Sequence, residues 1–177
     1  LVTAWTLTRV EELLGRTPMS RSWRDPALRV IYVLEVGRHL HVITEEEAEA
    51  TGLGAARVQE DARRALFYQS YKVRPVRQDD TDCARIKYYE TREGLGASRA
   101  VLLPDFEYDA AREGGFAAIV SRDLMITAQP HGPEHREAAR RELAARAVEA
   151  REAARYPTPP VFLELSIEGE AARGEES

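Results

Sequence analysis

The sequence predicts an α+β fold of mainly antiparallel strands with helices, in the order α-β-β-α-β-β-α-β-β-α-β. Three observations lead there. Apolar, β-branched runs come in pairs joined by short polar turns, as hairpins do. Several of the intervening segments repeat their apolar residues at helical spacing. No strand leads into a helix through a glycine-rich phosphate loop, which argues against a doubly wound β-α-β fold. The 177 residues suit one domain, since domains mostly hold about 100–200 residues. With 44% hydrophobic and 31% charged residues, the chain can bury a core and needs neither disulfide nor metal to fold. Residues 1–28 are expected to form an N-terminal helix and connection, 29–167 the α+β domain, and 168–177 an acidic flexible tail.

Residues 5–15 read as a short helix, with Trp5, Val10, Leu13 and Leu14 as its stripe and Gly15 as its stop. The stretch 16–28 contains Pro18, Pro26, Ser20 and Ser22 and reads as a connection. Arg29 to Val36 is apolar and β-branched, turns at Gly37-Arg38 and returns through His39 to Ile43. Thr44 and Glu47 have capping-box spacing, and Glu45 and Glu46 add negative charge where the helix dipole favours it. After Gly52 and Gly54, a helix over about 55–71 carries Ala55, Val58, Ala62, Ala65 and Leu66 on one face. Two extended segments follow, Val73 to Arg77 and Cys83 to Tyr89, across a turn containing Asp79, Asp80 and Asp82. A short helix, Ala97 to Leu103, stops before Pro104. Strands Phe116 to Val120 and Leu124 to Ala128 flank Ser121-Arg122-Asp123. The longest helix, Pro133 to Arg155, carries Glu137–Arg141 and Glu142–Arg146 pairs at i,i+4, with Leu143 and Val148 as its bulky apolar residues. A last strand runs from Val161 to Ile167, and Glu168 to Ser177 lacks apolar anchors.

Charge and composition exclude several function classes. The net charge is −5, and binding to nucleic acid needs a basic face that neutralises phosphates. The last ten residues hold four glutamates against one arginine, so the remainder sits near neutrality and still gives no nucleic-acid signal. No run approaches the roughly 18 apolar residues of a membrane span. Leu1 to Val10 shows no basic segment followed by an apolar one, so a cytoplasmic location is expected.

Metal and nucleophile chemistry find little support. Cys83 is the single cysteine, which rules out a multi-cysteine metal site and leaves it reading as a small buried hydrophobe. His39 and His41 share a strand face, but Gly132-Pro133 breaks the helical register between His131 and His135. The Asp79, Asp80, Asp82 cluster lacks the glycine and terminal glutamate of a calcium loop. Lys87 follows Arg85 rather than an acid two residues earlier, unlike a metal-dependent nuclease motif. No metal and no cofactor are expected.

Of the 25 basic residues, 23 are arginine, with Lys72 and Lys87 the exceptions. Most alternate with glutamate on predicted helices and read as a solvated face. Ser98-Arg99 and Ser121-Arg122-Asp123 do not, because they lie in or beside apolar segments where an unpaired charge is costly. An internal Arg–Asp bridge or a tight turn is one reading. The other brings Arg99 and Arg122 together on an anionic ligand, with Ser98 or Ser121 adding a hydroxyl.

At these positions the chain resembles the bacterial YtpQ-like family, a domain of unknown function. The similarity is carried by the hairpin into Val42-Ile43-Thr44-Glu45-Glu46 with Gly52-Leu53 and the helix beyond, by Gly96-Ala97-Ser98-Arg99-Ala100-Val101-Leu102-Leu103, and by Ser121-Arg122-Asp123-Leu124. The polar helix that follows and Tyr156-Pro-Thr-Pro-Pro-Val-Phe162 complete it, in family order across roughly residues 30–165. Val120 stands where that family usually has proline. The resemblance implies a cytoplasmic bacterial protein with an α+β fold and supplies no reaction.

Two functions follow as expectations. The first is a non-enzymatic binding or interaction module with an arginine-lined anion site at Arg99, Ser121 and Arg122, its partner a protein or a small anionic ligand. The second is an enzyme acting on a phosphate- or carboxylate-bearing small molecule, with Ser98 and Asp123 as the catalytic candidates. Homodimerisation through the 161–167 strand or the alanine-rich helix is a further expectation.

Overall fold

In the computed structural model, residues 2–3, 11–22, 28–36, 39–91, 97–103, 107–154 and 157–165 are described. Helices and antiparallel sheets make an α+β protein, as the sequence predicts. Its contacts fall into two compact units, residues 1–69 and 70–177.

In the first unit, helical residues 11–14 remain of the predicted 5–15 helix, and residues 4–10 lie outside the described set. Strand β1 (Val2–Thr3), β2 (Ser20–Ser22) and β3 (Leu28–Ile31) pair antiparallel in the order β1-β3-β2. Residues 20–22 thus belong to a sheet rather than to a plain connection: Ser-Arg-Ser has little strand propensity of its own, and pairing with β3 overrides it. The predicted 29–36 strand breaks at Tyr32, beyond which β4 (Val33–Val36) pairs with β5 (His39–Val42). Ile43 locks these pieces together, donating its N–H to Tyr32 O at 3.0 Å and accepting from Met19 N at 2.8 Å. Helix α1 (Glu45–Ala50) opens with the predicted capping box, Thr44 Oγ1 accepting from Glu47 N at 3.2 Å and Glu47 Oε2 from Thr44 N at 3.0 Å. Helix α2 (Ala55–Ser70) follows. Met19, Tyr32, Ala48 and Val58 form the buried core of this unit.

The second unit is a five-stranded antiparallel sheet in the order β10-β8-β9-β7-β6. Its strands are β6 (Arg77–Asp80), β7 (Ala84–Glu90), β8 (Phe116–Ser121), β9 (Leu124–Pro130) and β10 (Pro157–Glu164). The strand expected at 73–77 forms at 77–80 instead. Thr81 sets the turn, its hydroxyl donating to Ala84 O at 2.9 Å and accepting from Ala84 N at 3.1 Å, which leaves Asp79 and Asp80 on an edge strand that tolerates charge. The last strand starts earlier than expected, at Pro157; Ser166 and Ile167 lie outside the described residues.

Helix α3 (Tyr108–Arg112) was not expected, being one turn long, and buries Ala110 and Ala111. Helix α4 (Arg136–Ala153) follows a 3-10 turn over Pro133–His135. Alternation along the strands gives the sheet two faces. Ala84, Ile86, Phe116, Ala118, Val120 and Ile126 point to one, where Ala139, Leu143 and Ala147 of α4 cover them. Small alanines on the helix let it sit close to the sheet. The 3-10 segment Ala97–Leu102 and α3 pack against β8 and β9. Gly115 lies where chains crowd: a Cβ there would stand 2.6 Å from Ala128 O and 2.8 Å from Ala110 O.

Candidate functional site

Ser121 and its neighbours close the β8–β9 hairpin. The Ser121 hydroxyl accepts from Asp123 N at 3.2 Å and Leu124 N at 3.1 Å, a side-chain turn that satisfies two backbone donors. Arg122 lies on the turn with its side chain 58% exposed, and its Nε is 3.5 Å from Asp123 Oδ1. Arg99 lies in the interior at 1% exposure, its Nε donating to Ser70 Oγ at 3.0 Å. Ser98 is half-buried on the same 3-10 segment. One guanidinium is closed to solvent and the other open to it.

The structure also forms a buried polar cluster that sequence reasoning did not find. Glu107 is 2% exposed. It accepts from Lys87 Nζ at 2.9 and 3.2 Å and from the Tyr89 hydroxyl. Lys87 and Tyr89 are two apart on β7 and share a face, so one carboxylate reaches both. Burial first, and then the Glu107 carboxylate, push the Tyr89 phenol well above its ordinary range. Lys87, one of two lysines and set in a strand, was the available signal. Its partner is 20 residues away, and no local pattern names it.

A third arrangement lies at the β10 edge. There α4 and the sheet border a half-open cleft of about 360 Å³, a volume within the range of small-molecule sites. Phe116, Leu143, Ala144, Phe162 and Leu163 supply its apolar walls, and Arg140, Arg141 and Glu164 its polar rim. Phe162 is 46% exposed. Arg140 and Arg141 converge on one carboxylate, that of Glu137. Arg140 donates from Nε at 3.1 Å and from Nη2 at 3.3 Å, and Arg141 from Nε at 3.2 Å. The hydrogen bonds from Arg140, supported by Arg141, hold the Glu137 carboxyl below the usual range. Arg136 pairs with Glu164, donates to Gly114 O at 2.9 Å, and places its guanidinium 5.3 Å from the Phe116 ring centroid. The Glu137–Arg141 pair was legible as helix spacing. Its position beside an apolar cleft was not, because that depends on where β10 lies.

His41 Nε2 lies 3.0 Å from Glu47 Oε1, and His131 Nε2 lies 2.9 Å from Thr81 O. Among the described residues no group of three or more His, Cys, Asp or Glu side chains is placed to hold a metal ion. Nor is any helix among them long and apolar enough to cross a membrane. Comparison with protein-family models, with curated proteins and with solved structures finds no match.

Proposed function

We propose that the chain is a non-enzymatic binding module whose anion-accepting site is the cleft between α4 and β10. One observation carries this reading: two guanidiniums converge on a carboxylate at the lip of an apolar cleft. Charge-assisted bonds of this kind are among the stronger ones a surface can offer an anion. The reading moves the arginine-lined site away from Arg99, Ser121 and Arg122, since Arg99 is 1% and Ser121 4% exposed. It favours binding over catalysis because, among the described residues, the cleft lining is apolar side chains, two arginines and a glutamate, with no Ser, Cys, His or Tyr nucleophile. A cytoplasmic location and membership of the YtpQ-like family belong to the same proposal, the latter on the strength of the five matching segments.

The test is an NMR titration of the 177-residue protein with acetate, inorganic phosphate and a glutamate-rich tetrapeptide at low ionic strength. Surface charge is least screened there. At least one of these anions should shift the Arg140 and Arg141 side-chain resonances, and the shifts should vanish in the Arg140→Gln/Arg141→Gln double variant. Both side chains are more than half exposed, so the variant keeps its core. No shift with any of the three, or shifts unchanged in the variant, would overturn the proposal.

A further inference from the structure

The α4–β10 cleft also specifies what kind of anion it takes. We infer that its ligand is a small monocarboxylate with an apolar body, the body lying against Phe162 and the rim of Phe116 and the carboxylate reaching Arg140 and Arg141. This rests on the binding-module reading above and sharpens it.

Three observations select that chemistry. The first is charge. Arg136, Arg140 and Arg141 stand against Glu137 and Glu164, which leaves one positive charge to spare. A monoanion balances that, whereas a dianionic phosphate exceeds it. The second is the lining. Leu143 is fully buried at the base of the cleft, while the Phe162 ring is 46% exposed beside it. Covering that ring removes apolar surface from water, a gain that acetate or phosphate alone cannot make. The third is the edge of the sheet. A peptide adding as a further strand would need backbone donors along β10, but Pro157, Pro159 and Pro160 contribute none. Thr158 is the one donor-bearing residue in that half, and Val161–Glu164 is the longest donor-bearing run, too short for strand addition to dominate. A compact ligand in a space of about 360 Å³ fits better than a chain.

Glu137 acquires a role in this arrangement. Its carboxylate already occupies the place between the two guanidiniums that a ligand carboxylate would share. It acts as an internal competitor, so removing its charge should strengthen binding. A purely structural role for the helix pairs predicts no such gain.

The experiment measures affinity by NMR or calorimetry for four probes: 4-phenylbutyrate, 4-phenylbutan-1-ol, phenyl phosphate and acetate. The expected order places 4-phenylbutyrate first, with perturbations centred on Phe116 and Phe162. Acetate and the alcohol should each be roughly tenfold weaker or more. Arg140→Gln/Arg141→Gln and, separately, Phe162→Ser should weaken 4-phenylbutyrate by a similar factor. Glu137→Gln should tighten it roughly three- to fivefold. Phenyl phosphate binding more tightly than 4-phenylbutyrate, or acetate binding equally well, overturns this inference while leaving the anion-binding module intact. No binding of any anion overturns both. Binding of 4-phenylbutyrate that survives both variants, or a Glu137→Gln protein that binds it no better, also overturns the inference.

Discussion

Truncating Glu107 to alanine should be among the most damaging single changes in the second unit. The carboxylate is 1% exposed, and the ammonium it holds, on Lys87, is 20% exposed. Glu107→Ala strands that ammonium in a partly closed site and also takes the acceptor from the buried Tyr89 hydroxyl. Removing one partner of a buried ion pair costs about 3–5 kcal/mol, mostly through the charge left behind. For a unit of this size that corresponds to a fall in Tm on the order of 10–20 °C. Lys87→Met alone leaves the carboxylate buried with Tyr89 as its remaining side-chain donor among the described residues, so it should cost a comparable amount. The double variant Glu107→Leu/Lys87→Met leaves no orphaned charge and should recover much of the loss. Urea denaturation of the four proteins, followed by far-UV circular dichroism, closes the cycle. A coupling energy indistinguishable from zero, or a Glu107→Ala loss below about 1 kcal/mol, would refute the reasoning, because that is the range of a solvent-screened surface pair.

Two other predictions follow from the same packing. Gly115→Ala pushes a methyl group to 2.6 Å from one backbone carbonyl and 2.8 Å from another. Backbone must shift to admit it, at a cost of about 1–3 kcal/mol in urea midpoint analysis, and an unchanged midpoint would show that the β8 entry is more open than the structure has it. Tyr32, Tyr88 and Tyr89 all have phenols raised above the ordinary value, chiefly by burial. Their contribution to stability is complete below about pH 10, where the unfolded tyrosines are still protonated, and is lost as pH rises toward the folded values. Stability measured at about pH 9, 10 and 11 should therefore fall, and Tyr89→Phe should flatten the fall; an identical slope in that variant would count against it.

What the sequence makes legible is whatever its near neighbours decide. The Thr44 capping box needs only Glu47 three residues on, and the β8–β9 hairpin needs only two apolar runs around a polar turn. Both were readable. Strand β6 was placed too early because Asp79 and Asp80 look like turn residues, yet at a sheet edge they pair with β7 and take Arg77 and Arg85 as counter-charges. Helix α3 was missed because a single turn carries no periodicity to detect. The Glu107 cluster lay beyond reach for another reason: nothing near Glu107 marks it as buried, and its burial follows from the chain's return over the Lys87–Tyr89 face of β7.

The arginines show the same division from the functional side. Sequence reasoning looks for a charge that does not belong, and so singles out Arg99, flanked by apolar residues. In the structure Arg99 is a buried cation with Ser70 as one of its partners. Arg140 and Arg141 looked ordinary because a Glu–Arg pair at helix spacing has the same pattern whether it faces open water or a ligand site. The difference comes from the opposing wall. Beside α4 that wall is β10, the outermost strand of its sheet, carrying an exposed Phe162. Edge position leaves Phe162 46% exposed, with the Arg140 and Arg141 guanidiniums on the same cleft. The proposed binding site rests on that combination, an apolar surface next to a convergent cationic pair, rather than on either feature alone. That pairing requires β10 and α4 to lie side by side, which the i,i+4 spacing of charges along α4 does not record.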